Sequence, residues 1–385
     1  MWPRILLLTL GTFAIGTDGF IVAGILGAIS TETHVSISTA GRLVTAFAVV
    51  YAISSPLIAS LTATVPRRRL ILGALLVFIL GNAGAALATT YAGLLAARVV
   101  AALASAAFTP CASVAAATLA GPSHRGRALS LVLGGITMST IVGVPLGAWI
   151  GGFRAAFWLV TGLGVAALLG LARLLPDLPP PPAVGLRDRL KALRTPGVPT
   201  TLTVTALAMA AGFTVYTYIG PLLTETLRAD AGTVSLVLVV FGCAGTLGNG
   251  LSGWLADRWG ARQTVTVSLV VVMGVLACLP TLADTLPGTL VAITLWNGAG
   301  WLLLPAQQLR LLSAAPHLGQ ILISLNASAM YPGIGSAGLL GGWIIDIWDV
   351  RALGPAAALI LAVATILHGA SSRGRVKARK PEAVA

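Results

Sequence analysis

Of the 385 residues, 57% are hydrophobic and only 9% charged, with a mean hydropathy of +0.94; that is too little charge for a water-soluble surface, and the chain reads as a membrane protein. A formal net charge of +13 raises nucleic acid as a partner, but the basic residues fall in short segments between apolar runs, as cytoplasmic loops do, which argues against a nucleic-acid face. Cys111, Cys243 and Cys278 are odd in number, far apart and set in apolar stretches, so they are expected to be buried free thiols.

The first apolar run, Ile5 to Ile29, holds 25 residues and one charged side chain, Asp18. About 20 residues at ~1.5 Å each cross a hydrocarbon core of ~30 Å, so this run is expected to span the bilayer and to be retained, not cleaved as a leader. Asp18 then lies near the midplane, where a carboxylate costs ~2.5–3.5 kcal/mol and must face water, a partner or the bundle interior. Two readings stay open: a proton or cation site, or a protonated Asp hydrogen-bonded to a neighbouring helix.

Twelve apolar segments follow one another at about 5–29, 40–63, 70–90, 92–120, 127–152, 155–175, 198–224, 232–256, 263–283, 287–309, 319–345 and 352–370. With the N-terminus in the cytoplasm, the inner segments hold 19 of the 24 basic residues and the outer ones only Arg42, Arg154, Arg228 and Arg351. That excess orients the chain with both termini cytoplasmic. Arg98 is left inside a span. Pro176 to Pro196 is the longest polar interval; its proline run is a stiff spacer, and Leu186 to Leu193 is expected to form a short amphipathic helix on the inner leaflet.

The interval divides two halves that look alike. LGNGLSGWLADRWGARQTV lies about 193 residues after SSPLIASLTATVPRRRLIL, and Gly341 and Trp343 lie about 194 after Gly147 and Trp149. The expected fold is an all-α membrane protein of 12 transmembrane helices in two six-helix pseudo-repeats. Its expected parts are an N-terminal bundle over 1–175, a cytoplasmic linker over 176–197, a C-terminal bundle over 198–370 and a basic cytoplasmic tail over 371–385.

Three places carry chemistry. Asp257 followed by Arg258, with Arg262 beyond, suits a helix-end ion pair or ordinary cytoplasmic flanking. Gly143, Pro145 and Gly147 place a missing backbone donor between two missing side chains, which favours a kink at a tight helix contact. Arg98 sits about 10 Å below the outer end of its span, too deep for a simple flank unless it snorkels, and makes with Asp18 the one intramembrane ion pair.

Six-plus-six runs, cytoplasmic termini and a basic central loop resemble the major facilitator superfamily, and the motifs resemble its drug:proton antiporter branch. Gly253 to Arg262, GWLADRWGAR, is similar to that family's G-x-L-A-D-R-x-G-R-R signature. The resemblance implies that Asp257, Arg258 and Arg262 latch the inner gate; the matching stretch Ser60 to Arg69 has Thr64 for the acid. Gly143-Val144-Pro145-Leu146-Gly147 is similar to a looser form of the antiporter motif G-x-x-x-G-P-x-x-G-G. Gly16-Thr17-Asp18-Gly19-Phe20 is similar to the branch's G-T-x-E-F, with the acid one residue early, ~100° around the helix. Arg98 matches the span-four arginine linked to proton transfer, so the resemblance implies Asp18 and Arg98 as the proton-coupling residues.

The spans that line the family's cavity offer Phe20, Tyr216, Trp296 and Asn297 here, with Phe13, Phe108, Phe213, Tyr218 and Trp301, and with Asn249 and Asn326 nearby. Aromatics with a few amides suit neutral or weakly amphipathic molecules. The chain is identified as a member similar to sugar-efflux and chloramphenicol-efflux permeases. This implies a secondary active efflux transporter, a proton antiporter of small neutral or amphipathic drug-like or sugar-like molecules by alternating access. The alternative is a proton-independent facilitator of sugars or related solutes. The implied setting is the bacterial plasma membrane, as a monomer, with cargo, protons and lipid as partners and neither cofactor nor metal. An enzyme is not expected: there is no G-x-x-x-x-G-K-[ST] for ATP, and His34, His124, His317 and His368 are scattered.

Overall fold

The computed structural model describes residues 1–62, 64–150, 152–178, 193–315 and 318–377, and all their regular structure is helical. The segment Leu186 to Leu193, apart from its last residue, and the tail beyond Lys377 lie outside the described residues. In chain order come α1 (Trp2–Thr33), α2 (Ile37–Leu61), α3 (Arg67–Leu87), α4 (Tyr91–Met138), a π turn (Ser139–Gly143), α5 (Val144–Ile150) and α6 (Phe153–Leu174). Beyond the linker come α7 (Val198–Thr217), α8 (Ile219–Leu227), α9 (Ala231–Trp259), α10 (Ala261–Ala277), α11 (Leu279–Leu282), α12 (Leu286–Gly300), α13 (Leu303–Ala314), α14 (Gly319–Ile347) and α15 (Leu353–Lys377).

Among the described residues, ten helical stretches are long and apolar enough to cross a membrane. They fall on ten of the expected segments; the ninth is the shorter α10 extended by α11, and the eleventh is the 29-residue α14. Prolines explain the subdivided spans. Pro221 and Pro305 have no N–H for the carbonyl four residues back, and the chain breaks at Tyr218 and at Trp301–Leu302.

The turns at the two ends of the bundle differ in chemistry. At the end that carries the N-terminus, the near end, Gly121 and Gly260 turn the chain with φ of 68° and 87°, a region open to glycine. Gly121 thereby splits α4 into two spans, Tyr91–Gly121 and Ser123–Ile150. At the far end, side chains cap the returning helices: Ser36 accepts from the Thr39 N–H, Thr90 from Gly93, Asp230 from Thr233 and Thr285 from Gly288.

Helices α1, α3, α4 and α6 pack on one another in the first half, as do α7 with α14 and α10 with α15 in the second. The two largest crossings between the halves are α2 on α14 and the π turn with α5 on α9, with a smaller contact of α1 on α7 and α8; the larger two come closest toward the far end. There the backbones touch. A Cβ on Gly338 would strike the Gly41 carbonyl, and one on Gly242 would sit 2.5 Å from the Thr140 carbonyl oxygen. Tyr218 Oη donates to the Gly338 carbonyl, and Ser235 Oγ to the Pro145 carbonyl at 2.9 Å.

The outer surface is apolar: Leu61, Leu359 and Ile366 are 80%, 71% and 70% exposed, as lipid-facing side chains are. The repeat-related Trp149 and Trp343 stand exposed near the far end, the placement of an interfacial belt. The expected burial of the thiols is corrected. All three are free, but Cys243 and Cys278 are exposed, because in a bilayer an apolar helix face points outward as readily as inward.

Candidate functional site

Between the two halves, in the near half of the bundle, lies a cavity of about 640 Å³. Rings come from Phe20, Phe47, Tyr51, Tyr331 and Trp301; hydroxyls and amides come from Thr109, Thr137, Ser328, Asn249 and Gln308. No Asp, Glu, Lys, Arg or His lines it among the described residues. Tyr51 of α2 and Tyr331 of α14 stack across the halves with centroids 4.1 Å apart. Such a wall accepts a neutral molecule with an apolar body and a few hydrogen-bonding groups, and offers no counter-charge to an ion.

Beyond Phe20 a smaller space of about 60 Å³ is lined by Phe213, Tyr216, Phe241, Trp296 and Asn297. Its rings form a continuous cluster, Phe20 to Phe213 at 5.9 Å, Tyr216 to Phe241 at 4.7 Å and Phe241 to Trp296 at 5.3 Å. Asn297 Nδ2 donates to the Phe241 carbonyl, which holds α12 against α9. Of the expected cavity residues, Phe20 thus faces both spaces, and Tyr216, Trp296 and Asn297 face only the smaller.

Asn326 is a correction. Fully buried, it accepts from Thr205 Oγ1 at 2.9 Å and ties α14 to α7 away from both spaces. Phe108 packs beneath Gly11, Tyr218 belongs to the far-end seal, and Phe13 lines neither space. Span number alone does not say which way a side chain points around its helix.

The structure brings Asp18 of α1 and Arg98 of α4 into a direct ion pair, Arg98 Nη1 donating to Asp18 Oδ1, with both side chains fully buried. Neither lines the cavity, but Gly19, the next residue along α1, does. The one-residue offset anticipated for Asp18 thus turns it from the cavity wall into the first-half bundle. The Arg98 guanidinium carbon lies 4.4 Å from the Phe47 ring centroid and 5.7 Å from that of Phe157. Among the described residues, Asp18 Oδ2, Arg98 Nε and Nη2 and Asn82 Oδ1 have no hydrogen-bond partner, so the pair is held tightly at one contact and incompletely at the others.

The motif at Gly143, Pro145 and Gly147 packs on the helix that carries Asp18. The π turn Ser139–Gly143 runs directly into Pro145, where the ladder loses its donor. A Cβ on Gly143 would strike Thr17 Oγ1, next to Asp18, and one on Gly147 would strike Ile21. On the other side, α9 crosses the same turn at Gly242. This π turn therefore lies between the buried acid and the second half.

The helix-end ion pair expected of Asp257 is not formed, a second correction. Asp257 is exposed and has no ion-pair partner among the described residues. Adjacent residues on a helix diverge by ~100°, and Arg258 turns instead over the ring of Trp254, 5.5 Å away. The Arg262 side chain is exposed, and its carbonyl meets His368 Nε2 at 3.2 Å. In the first half, Arg68 donates to the Ala172 carbonyl at 2.9 Å and pairs with Asp177 at 3.8 Å, staying within its own half.

The model of the Major Facilitator Superfamily matches residues 8–322 and again 201–382. The chain belongs to this superfamily. The transporter is 34% identical over 376 residues to a "Chloramphenicol resistance protein" of Streptomyces lividans, covering 96% of this chain and 90% of that one. It is 32% identical to the "Inner membrane transport protein YdhP" of Escherichia coli K12, over 89% of this chain and 88% of the relative. Among solved structures it resembles the nucleoside transporter NupG, with a TM-score of 0.82 at 12% identity over 96% of this chain and all of that one. A bacterial homologue of the lysosomal transporter Spinster, described as inward-facing and occupied, gives 0.76 at 18% identity, with 98% of each chain covered. The chain is thus a multi-pass membrane transporter and not an enzyme.

Phe47, Tyr51 and Tyr331 line the cavity but are not reached by sequence reasoning, because α2 and α14 are not among the spans expected to line it. Tyr51 and Tyr331 carried a usable signal: each is a lone phenol near the middle of an apolar run, where its hydroxyl needs a partner.

Proposed function

We propose that this transporter is a proton-coupled antiporter that exports small neutral or amphipathic molecules by alternating access. The observation that carries the reading is a fully buried acid–base pair, Asp18 and Arg98, beside an uncharged cavity of about 640 Å³ lined by rings, hydroxyls and amides. A midplane ion pair that binds no cargo charge suits a proton site, because protonating Asp18 neutralises it and removes its hold on Arg98. The relative named for chloramphenicol resistance supports drug-like cargo.

In this reading, residues 1–175 and 198–370 are two bundles of six spans each that rock about the cavity, joined by 176–197 and followed by a tail at 371–385. The excess of Lys and Arg assigns the near end, and so the open cavity and both termini, to the cytoplasm of a bacterial inner membrane. The structure then stands inward-open, the state in which a latch at Asp257, Arg258 and Arg262 is released. The chain works as a monomer, since each molecule holds its own cavity and acid.

The test is an efflux screen in cells stripped of their own drug pumps, comparing chloramphenicol with neutral sugars. Raised resistance and lowered accumulation of chloramphenicol, both abolished by an uncoupler, are expected. Sugar flux that ignores the uncoupler, with no drug phenotype, would favour the proton-independent facilitator instead.

A further inference from the structure

One wall of the cavity separates it from the buried pair. Gly19, adjacent to Asp18, lines the cavity with no side chain, and a Cβ there would lie 3.8 Å from Phe47 Cε1. Phe47, buried against this bare stretch of α1, lines the cavity, and its ring lies 4.4 Å from the Arg98 guanidinium. Its ring also stands 6.4 Å from Tyr51, which stacks on Tyr331 of α14 at 4.1 Å. An aromatic column thus runs from the pair, through the cavity wall, to the second half.

We propose that Phe47 is the shutter between the cavity and the Asp18–Arg98 pair, opened when α2 and α14 part. The inference rests on the proton-antiport reading and adds to it how the proton is kept from leaking. Closed, the ring keeps cavity water from Asp18 Oδ2, which has no hydrogen-bond partner among the described residues. When Tyr331 leaves Tyr51, the column loses its far support and Phe47 can swing. A hydronium ion then gives its proton to Asp18 Oδ2 and departs as water. The carboxylate becomes a neutral acid, its ion pair breaks, and the Arg98 charge rests against the rings of Phe47 and Phe157. As the far end closes again, the proton leaves Asp18 for cavity water now open to the other side before the ring seats, which restores the carboxylate and the pair. Among the described residues, Arg98 is the sole charged partner of Asp18, with Asn82 of α3 beside it.

The experiment uses the full chain in liposomes containing pyranine, with a potassium diffusion potential and no cargo, so that the dye reads proton entry alone. Phe47→Ala is expected to raise that entry by about tenfold over the parent, as opening a wet path to a buried ionisable group does. Phe47→Leu, which fills most of the volume without a ring, is expected to leak less, and Phe47→Tyr to restore tightness. Adding Asp18→Asn to Phe47→Ala should abolish the leak, placing it on this acid. Ala and Leu variants as proton-tight as the parent, or a leak that survives Asp18→Asn, would overturn the shutter. Failure of the antiport reading is seen separately, as parent vesicles whose chloramphenicol exchange ignores a pH gradient.

Discussion

At the scale of the residue, the dominant fact is a carboxylate and a guanidinium taken wholly out of water with only one hydrogen bond between them. Removing one partner of such a pair leaves an uncompensated buried charge, a cost of ~3–5 kcal/mol, whereas removing both costs far less. Arg98→Gln and Asp18→Asn are therefore each expected to lower thermal stability in detergent, and the double variant to regain most of the loss. Additive melting shifts would show that the two charges do not depend on each other. The pairing was legible from sequence because Asp18 and Arg98 are the ionisable residues most clearly stranded inside apolar runs. The cavity amides were not: Asn297 holds a backbone carbonyl and Asn326 a threonine, and nothing in a run of apolar residues tells an amide that packs from one that faces cargo.

At the scale of the element, glycine and proline accompany the breaks at Gly121, Pro221 and Pro305, while Pro56 and Pro332 sit inside unbroken helices, so the residue type alone did not say which spans divide. At Gly143, Pro145 and Gly147 a π turn runs into a short helix, and the structure adds what this stretch packs on, Thr17 and Ile21 of α1 and Gly242 of α9. Gly147→Leu would force several carbons into the contact with Ile21, overpacking worth ~1–3 kcal/mol, enough to bias a balanced two-state transporter by tenfold or more. A protein that inserts normally but loses net export is expected, with Gly147→Ala less impaired. Transport by the Leu variant equal to the parent would remove α5 from the moving interface. The Asp257 motif was legible as a motif but not as a contact: neighbouring residues on a helix point ~100° apart, and Arg258 turns to Trp254 instead. In this structure the acid is unpaired among the described residues; under the proposed inward-open reading, Asp257→Asn is expected to change little here and to weaken the opposite state by ~1.5–3 kcal/mol. Labelling of single cysteines in the near-end cavity should rise in the variant; unchanged labelling would make Asp257 a flank residue.

At the scale of the whole molecule, the repeat foreshadowed the joints between the halves. The sequence pairs span two with span eight and span five with span eleven, and the observed crossings are two on eleven and five on eight, which exchange under that relation. What stayed hidden was the side on which they close. The seal at Gly41, Tyr218, Gly242 and Gly338 depends on how the bundles tilt, a property of the packed pair and not of either span. Gly338→Leu should hold the far-end backbones apart, so that probes added from that side label the cavity of the variant and not of the parent. Equal labelling would mean that the far end opens without parting this contact.

In the proposed function, a proton at Asp18 drives export through the uncharged cavity. Its most direct measurement is chloramphenicol exchange in liposomes under an imposed pH gradient, for the parent and for Asp18→Asn, with binding followed by tryptophan fluorescence. Gradient-driven accumulation by the parent is expected, with a variant that still binds and exchanges chloramphenicol but no longer concentrates it. An Asn variant that concentrates the drug as the parent does would contradict the proposed function.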